Sequence, residues 1–198
     1  MAMNYGLRIS REEGEPIVRG FRDDNPLLKT FWYENLRCAV RAVTYPGHEF
    51  HVPPKGLLSW RYDGSCLFLR LPSGRNLRYW QPELRQGYWP DGSPKEEPDL
   101  TVLSIKGRAV FRRTLWHGIA IENPTQAIAA DLLANGLVAC DRENLPVVVH
   151  VHDNIAAECE DHKAGQLLPL FKRCMLEVPA WAAGLPVAVE AEAAPRFG

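Results

Sequence analysis

A run of β-branched residues, Val147-Val148-Val149, continues through His150-Val151-His152 and stops at Asp153-Asn154. β-Branched side chains favour extended backbone over helix, and an Asp-Asn pair favours a turn. The pattern predicts an apolar strand over residues 146–152, a turn at Asp153-Asn154 and a return strand over 155–158. Just upstream, Asn123-Pro124 joins a capping residue to a proline at a first helical position, which predicts a helix over about 125–139. A buried strand that delivers a carboxylate into a tight turn holds that acid rigidly. The rest of the fold has to be built around this ribbon.

The same signals recur earlier. Ser10 followed by Glu13 is a capping-box signature, which predicts a helix over 11–22. Asn25-Pro26 starts a second helix, with Leu27, Leu28, Phe31, Trp32, Asn35, Leu36 and Cys38 at helical spacing before Pro46-Gly47. Asp63-Gly64 between Trp60-Arg61-Tyr62 and residues 66–71 predicts a hairpin. Pro72-Ser73-Gly74 predicts a second turn, leading to Leu77-Arg78-Tyr79. Residues 81–98 read as a loop, 101–105 as a short strand and 160–176 as a last helix before a Pro-rich apolar tail. The fold class is α+β.

Composition excludes several classes. Among 198 residues, 46% are hydrophobic and 24% charged, with a net charge of -1, so collagen-like, mucin-like and disordered chains are excluded. A uniformly basic nucleic-acid coat is excluded too, though a local basic face is not. The five cysteines (Cys38, Cys66, Cys140, Cys159, Cys174) are odd in number and form no CxxC pair, so a disulfide framework is not expected. They read as small buried hydrophobes. No signal peptide and no membrane span is read, so the expected location is the cytoplasm.

The chemistry concentrates in residues 122–158. Mg²⁺ takes carboxylate oxygens in near-octahedral geometry, usually one or two from protein. Phosphoryl transfer by two metals requires shared carboxylates, because one ion activates the attacking oxygen and the other neutralises the leaving group. By pattern alone, an Asp beside a His in a turn is also an ordinary hydrogen-bonding pair. His150, His152, Cys159 and His162 offer a second reading as a zinc module, but without finger-like spacing. Trp60, Tyr62, Phe68, Tyr79 and Trp80 are suited either to base stacking or to hairpin core packing.

Five blocks carry a resemblance. Val149-His150-Val151-His152-Asp153, with Ile155 and Glu158, resembles motif C of the family A DNA polymerases. Glu122-Asn123-Pro124-Thr125-Gln126-Ala127-Ile128-Ala129-Ala130-Asp131-Leu132-Leu133 resembles the palm helix whose Gln faces the primer–template junction. Leu71-Pro72-Ser73-Gly74-Arg75-Asn76-Leu77 is similar to the LPSGRxL hairpin of bacteriophage and prophage members. Pro179-Ala180-Trp181-Ala182-Ala183-Gly184-Leu185-Pro186 is similar to their C-terminal PxWAxGLP. Tyr5-Gly6-Leu7 through Asn25-Pro26 and Phe31-Trp32 looks like the segment after their fingers helix. The blocks follow in the family's order over nearly the whole chain.

The resemblance implies a fold, a role for each matched residue, and partners. The chain would be the C-terminal half of a polymerase palm, with residues 1–45 as a helical base of the fingers, 46–98 as a β-hairpin insertion and 99–198 as the palm part. Asp153 would ligate Mg²⁺, with His152 near the primer end. Glu122 and Gln126, in the matched palm-helix segment, would lie at the DNA, Gln126 contacting the minor groove at the primer terminus, where a donor can reach the acceptors every base pair displays. Arg112 and Arg113, within the basic stretch Lys106, Arg108, Arg112, Arg113, would contact phosphate, the alternative being a solvated surface.

The chain also departs from the family. Asn154 stands where a second acid is usual, Ile119 where relatives carry a lysine, and Ala130 where an arginine is usual. The motif A aspartate and the nucleotide-binding fingers helix have no counterpart in this sequence. One aspartate cannot hold two divalent ions, so the chain is expected to be inactive alone. A second polymerase polypeptide carrying motif A and the fingers helix would complete it on primer–template DNA with dNTPs, in the cytoplasm of a bacterial host. The alternative is a degenerate, non-catalytic DNA-binding or assembly module.

Overall fold

Ser10 and Glu13 open the first helix as expected. The Ser10 hydroxyl accepts from the Glu13 backbone N–H at 3.2 Å, and the Glu13 carboxylate accepts from the Ser10 N–H at 2.9 Å. Helix α1 spans Arg11–Asp24. Asn25 turns its side-chain amide back onto Phe21 O at 2.8 Å, and Pro26 begins α2, Pro26–Thr44. The computed structural model describes residues 9–196, so the expected match at Tyr5-Gly6-Leu7 lies outside the described residues.

Six antiparallel strands follow in simple sequence order: β1 Glu49–His51, β2 Ser59–Tyr62, β3 Cys66–Arg70, β4 Asn76–Arg85, β5 Asp99–Lys106 and β6 Ala109–Thr114. The β2–β3 hairpin closes at the expected Asp63-Gly64. The Asp63 carboxylate accepts from the Ser65 N–H, the Ser65 hydroxyl and the Cys66 N–H. Gly64 takes φ +100°, a region closed to most side chains.

Two expectations fail here. Residues 81–85 belong to β4 and not to a loop, because β5 pairs with them: Glu83 faces Thr101 and Arg85 faces Asp99. Gln81-Pro82 sits in a bulge between Trp80 and Glu83, with Gln81 at φ +46°, so the missing N–H of Pro82 breaks no ladder bond. Strand β6 was not anticipated at all. It pairs with β5 from Thr101–Thr114 through Lys106–Ala109, around a turn in which Gly107 takes φ +62°.

The chain divides into two compact units, residues 1–70 with 76–122, and residues 71–75 with 123–198. In the first, α2 covers one face of the sheet. Asn35, Cys38, Ala39 and Ala42 are buried on the helix, against the buried strand residues Trp60, Leu67 and Leu69. Burying each large side chain of this kind contributes about 1.5–3 kcal/mol. Trp60 stacks at a tilt on Tyr79, with centroids 5.3 Å apart, and donates its indole N–H to Asn35 Oδ1 at 2.9 Å.

Helix α3 spans His117–Arg142 and corrects the expected start at Asn123-Pro124. Pro124 lies inside the helix, where it has no N–H to offer Ala120 O one turn back. That carbonyl is buried and accepts instead from Asn35 Nδ2 at 2.7 Å. A distant side chain thus replaces the missing helical bond, and the helix continues through its own stop signal.

The second unit packs α3 on α4, Ala164–Met175, which a 3₁₀ turn over Asp161–Lys163 precedes. Its core is Ala139, Cys140, Leu145 and Cys174, backed by Val147, Leu167, Leu170, Phe171 and Met175. Gly136 allows a close approach, since a Cβ there would meet Met175 Sδ at 3.0 Å. The β7–β8 hairpin comprises Val147–Val151 and Asn154–Ala157. Only Val147 of β7 joins this core. Val148 is 60% exposed, and Val149 and Val151 are exposed as well. The expected buried strand is therefore a solvent-facing ribbon, because a two-stranded hairpin offers its apolar run no second layer.

The architecture is α+β, with a six-stranded antiparallel sheet, a separate two-stranded hairpin and four α-helices among the described residues. Four of the five cysteines are buried and all are free thiols; Cys159 is exposed, contrary to the expectation of five buried side chains. No described helix is long and apolar enough to cross a membrane.

Candidate functional site

The turn of the β7–β8 hairpin falls one residue earlier than expected, at His152-Asp153, with Val151 paired to Asn154. His152 takes φ +53° at the first central position, where two-residue hairpin turns usually place glycine. A non-glycine residue in this region carries local strain that its surroundings must support. Both His152 and Asp153 are exposed at the tip.

The Asp153 carboxylate receives one hydrogen bond, from Asn154 Nδ2 to Oδ1 at 3.2 Å. The side chain at residue 154 is thus a donor to Asp153 and not a second acid. Among the described residues no three His, Cys, Asp or Glu side chains gather into a metal-binding group. His150, His152, Cys159 and His162 are therefore not brought together, which removes the geometric basis of the zinc reading. The same observation means that the described residues offer Mg²⁺ a single hairpin carboxylate and do not by themselves form a dinuclear site.

Gln126 lies on the exposed surface of α3, four residues after the exposed Glu122. Around the next turn of this helix is a network that the sequence reading did not assign. Asp131 accepts from Ser73 Oγ at 2.5 Å and from Arg75 Nε at 2.7 Å. A second arm of the same guanidinium donates to Ala127 O at 2.8 Å. The Asp131 side chain is only 13% exposed. Two of the blocks that carry the family resemblance, Leu71–Arg75 and the α3 segment, are thus joined by three hydrogen bonds. The signal was present in the sequence as a short polar turn and a lone acid in an apolar helical stretch.

Arg112 and Arg113 separate. Arg112 Nη1 donates to Gln81 O at 2.8 Å, and Nη2 pairs with Glu83 Oε1 at 2.7 Å. This guanidinium clamps the β4 bulge, and its side chain is 18% exposed. Arg113, one residue on, is exposed. Two open clefts run along α1 and α2, lined by residues such as Arg19, Arg22, Asp23 and Lys29, and no sequence-expected site residue lines either.

Comparison with known proteins finds a DNA polymerase of Bacillus phage SP02 that is 30% identical over 195 residues, 96% of this chain and 28% of the relative. The phage polymerase resemblance read from the motifs is thereby borne out. The chain spans a little over a quarter of the relative's length. No family model matches, and no solved structure matches.

Proposed function

We propose that this chain forms the C-terminal palm part of a family A, phage-type DNA polymerase and contributes Asp153 to its nucleotidyl-transfer site. The observation that carries the reading is the similarity along 96% of the chain, together with a motif C carboxylate that stands exposed at a hairpin tip. In a complete site, Mg²⁺ bound in part by Asp153 would stabilise charge on the transferring phosphate. The described residues do not complete such a site. A second acid, from a segment outside this sequence or from a separate polypeptide carrying motif A and the fingers helix, is required.

The chain's own residues do the following. Asn154 orients the Asp153 carboxylate through its amide. His152 occupies the turn that presents it, at φ +53°. Gln126 would donate to minor-groove acceptors of the primer-terminal pair. Ser73 and Arg75 anchor α3 through Asp131 and so position the helix that bears Gln126. Arg113 is available for phosphate, whereas Arg112 is committed to Glu83 and Gln81. Primer–template DNA and dNTPs are the substrates this reading assigns, in the cytoplasm of a bacterial host.

Single-nucleotide incorporation on a primed template with Mg²⁺ tests the reading. The chain alone should give none, and addition of a polypeptide carrying motif A and the fingers helix should restore it. Incorporation by the chain alone would refute the requirement for a second acid.

A further inference from the structure

Strand register sorts the side chains of the six-stranded sheet. Trp60, Leu67, Leu69 and Tyr79 share the face that α2 covers. The opposite face carries Arg61, Phe68 and Arg78 directly opposite one another across β2, β3 and β4. Arg70 lies two residues along β3 from Phe68, and Trp80 two along β4 from Arg78, each on this same face. Arg61, Arg70 and Arg78 are exposed, and Trp80 is 52% exposed. The Arg61 guanidinium sits 5.9 Å from the Phe68 ring centroid.

Among the acids near this face, Glu49 lies directly across from Arg61 and accepts from Ser59 Oγ at 2.5 Å. Glu83 holds Arg85 and Arg112. Asp63 accepts three hydrogen bonds within its own turn. No ion pair among the described residues engages Arg70 or Arg78. The surface therefore presents three arginines interleaved with two aromatic rings on a rigid antiparallel platform. An exposed Trp80 and a half-buried Phe68 between cations offer stacking planes beside phosphate-binding forks.

We infer that this face binds single-stranded nucleic acid, with bases stacked on Phe68 and Trp80 and phosphates held by Arg61, Arg70 and Arg78. Duplex fits less well, because its bases are already stacked on one another and cannot cover the rings. All five residues belong to the first compact unit, and none takes part in the Asp153 reading, so the inference stands independently of it.

Fluorescence anisotropy of the full chain with a labelled oligothymidylate of about 15 nucleotides, at a range of salt concentrations, tests it. Saturable binding is expected, with log K falling against log salt at a slope of about -2 for three phosphate contacts. The double variant Arg61→Ala with Arg78→Ala should flatten that slope by about 1.4. Phe68→Leu and Trp80→Ala should each weaken binding roughly tenfold while leaving the slope unchanged, since stacking releases no counterions. Unchanged unfolding midpoints would show that the arginine and Trp80 variants remain folded. Equal or tighter binding of a duplex of the same length, or wild-type affinity in both aromatic variants, would overturn the inference.

Discussion

The side-chain amide of Asn35 serves the backbone carbonyl of Ala120, eighty-five residues away, at 2.7 Å. The same side chain accepts from Trp60 Nε1 at 2.9 Å, so one buried asparagine satisfies two groups. Asn35→Ala orphans both, at a cost of roughly 2–5 kcal/mol in urea unfolding. Pro124→Ala in that background restores a helical N–H to Ala120 O and should return about 1 kcal/mol. A double variant no more stable than Asn35→Ala alone would show that the proline is not what leaves this carbonyl open.

Asp131 holds Ser73 and Arg75 together. Arg75 is nearly half exposed, which weakens its share of the interaction, so Asp131→Ala should cost about 1–2 kcal/mol. Arg75→Ala should cost less than Ser73→Ala with Arg75→Ala combined. A double-mutant cycle between Ser73 and Asp131 that shows no coupling would contradict the network.

His117 lies 5.3 Å from the Tyr33 ring and 5.2 Å from the Trp116 ring. Burial holds its imidazole below the usual histidine range, and the Arg22 charge adds to this. Near pH 6.5 the unfolded chain takes up a proton that the folded chain refuses. Stability from this site is therefore intact above that pH and is lost as pH falls through the lower folded value. Thermal unfolding between about pH 7.5 and about pH 5.5 should fall further for the wild type than for His117→Phe.

Thiol labelling separates the cysteines. Cys159 is exposed and should react in the native protein, whereas Cys38, Cys66, Cys140 and Cys174 should react only on unfolding. Burial, with Cys174 beside it, pushes the Cys140 thiol up to about 11, so little thiolate forms at neutral pH. A second fast native thiol would contradict the packing of the unit that holds it, the first for Cys38 or Cys66 and the second for Cys140 or Cys174.

What the sequence disclosed was local. The Ser10–Glu13 box and the Asp63-Gly64 turn are set by residues within a few positions of one another, and both form as read. The outer half of β4 depends on β5 across a long connection, so composition near Pro82 pointed to a loop, whereas β6 follows a tight turn at Gly107-Arg108 within a stretch whose basic residues pointed to surface. The start of α3 was misplaced because a strong local signal, Asn123-Pro124, is overruled by Asn35 in another helix. That Asp153 would lie in a hairpin turn was legible from its neighbours. The exposure of its strand was not, since the valines of β7 gave no sign of how many layers would cover them. The Ser73–Arg75–Asp131 set left only a polar turn and a lone helical acid as its trace, since its members meet only after folding.

The most direct measurement is single-nucleotide incorporation on a primed template by this chain combined with a polypeptide carrying motif A and the fingers helix, as the proposed function requires. Asp153→Ala should reduce it to background, and Asn154→Glu should keep or raise it by returning a second acid to the hairpin. Incorporation at the wild-type rate by the Asp153→Ala chain would remove Asp153 from the site and the proposed function with it.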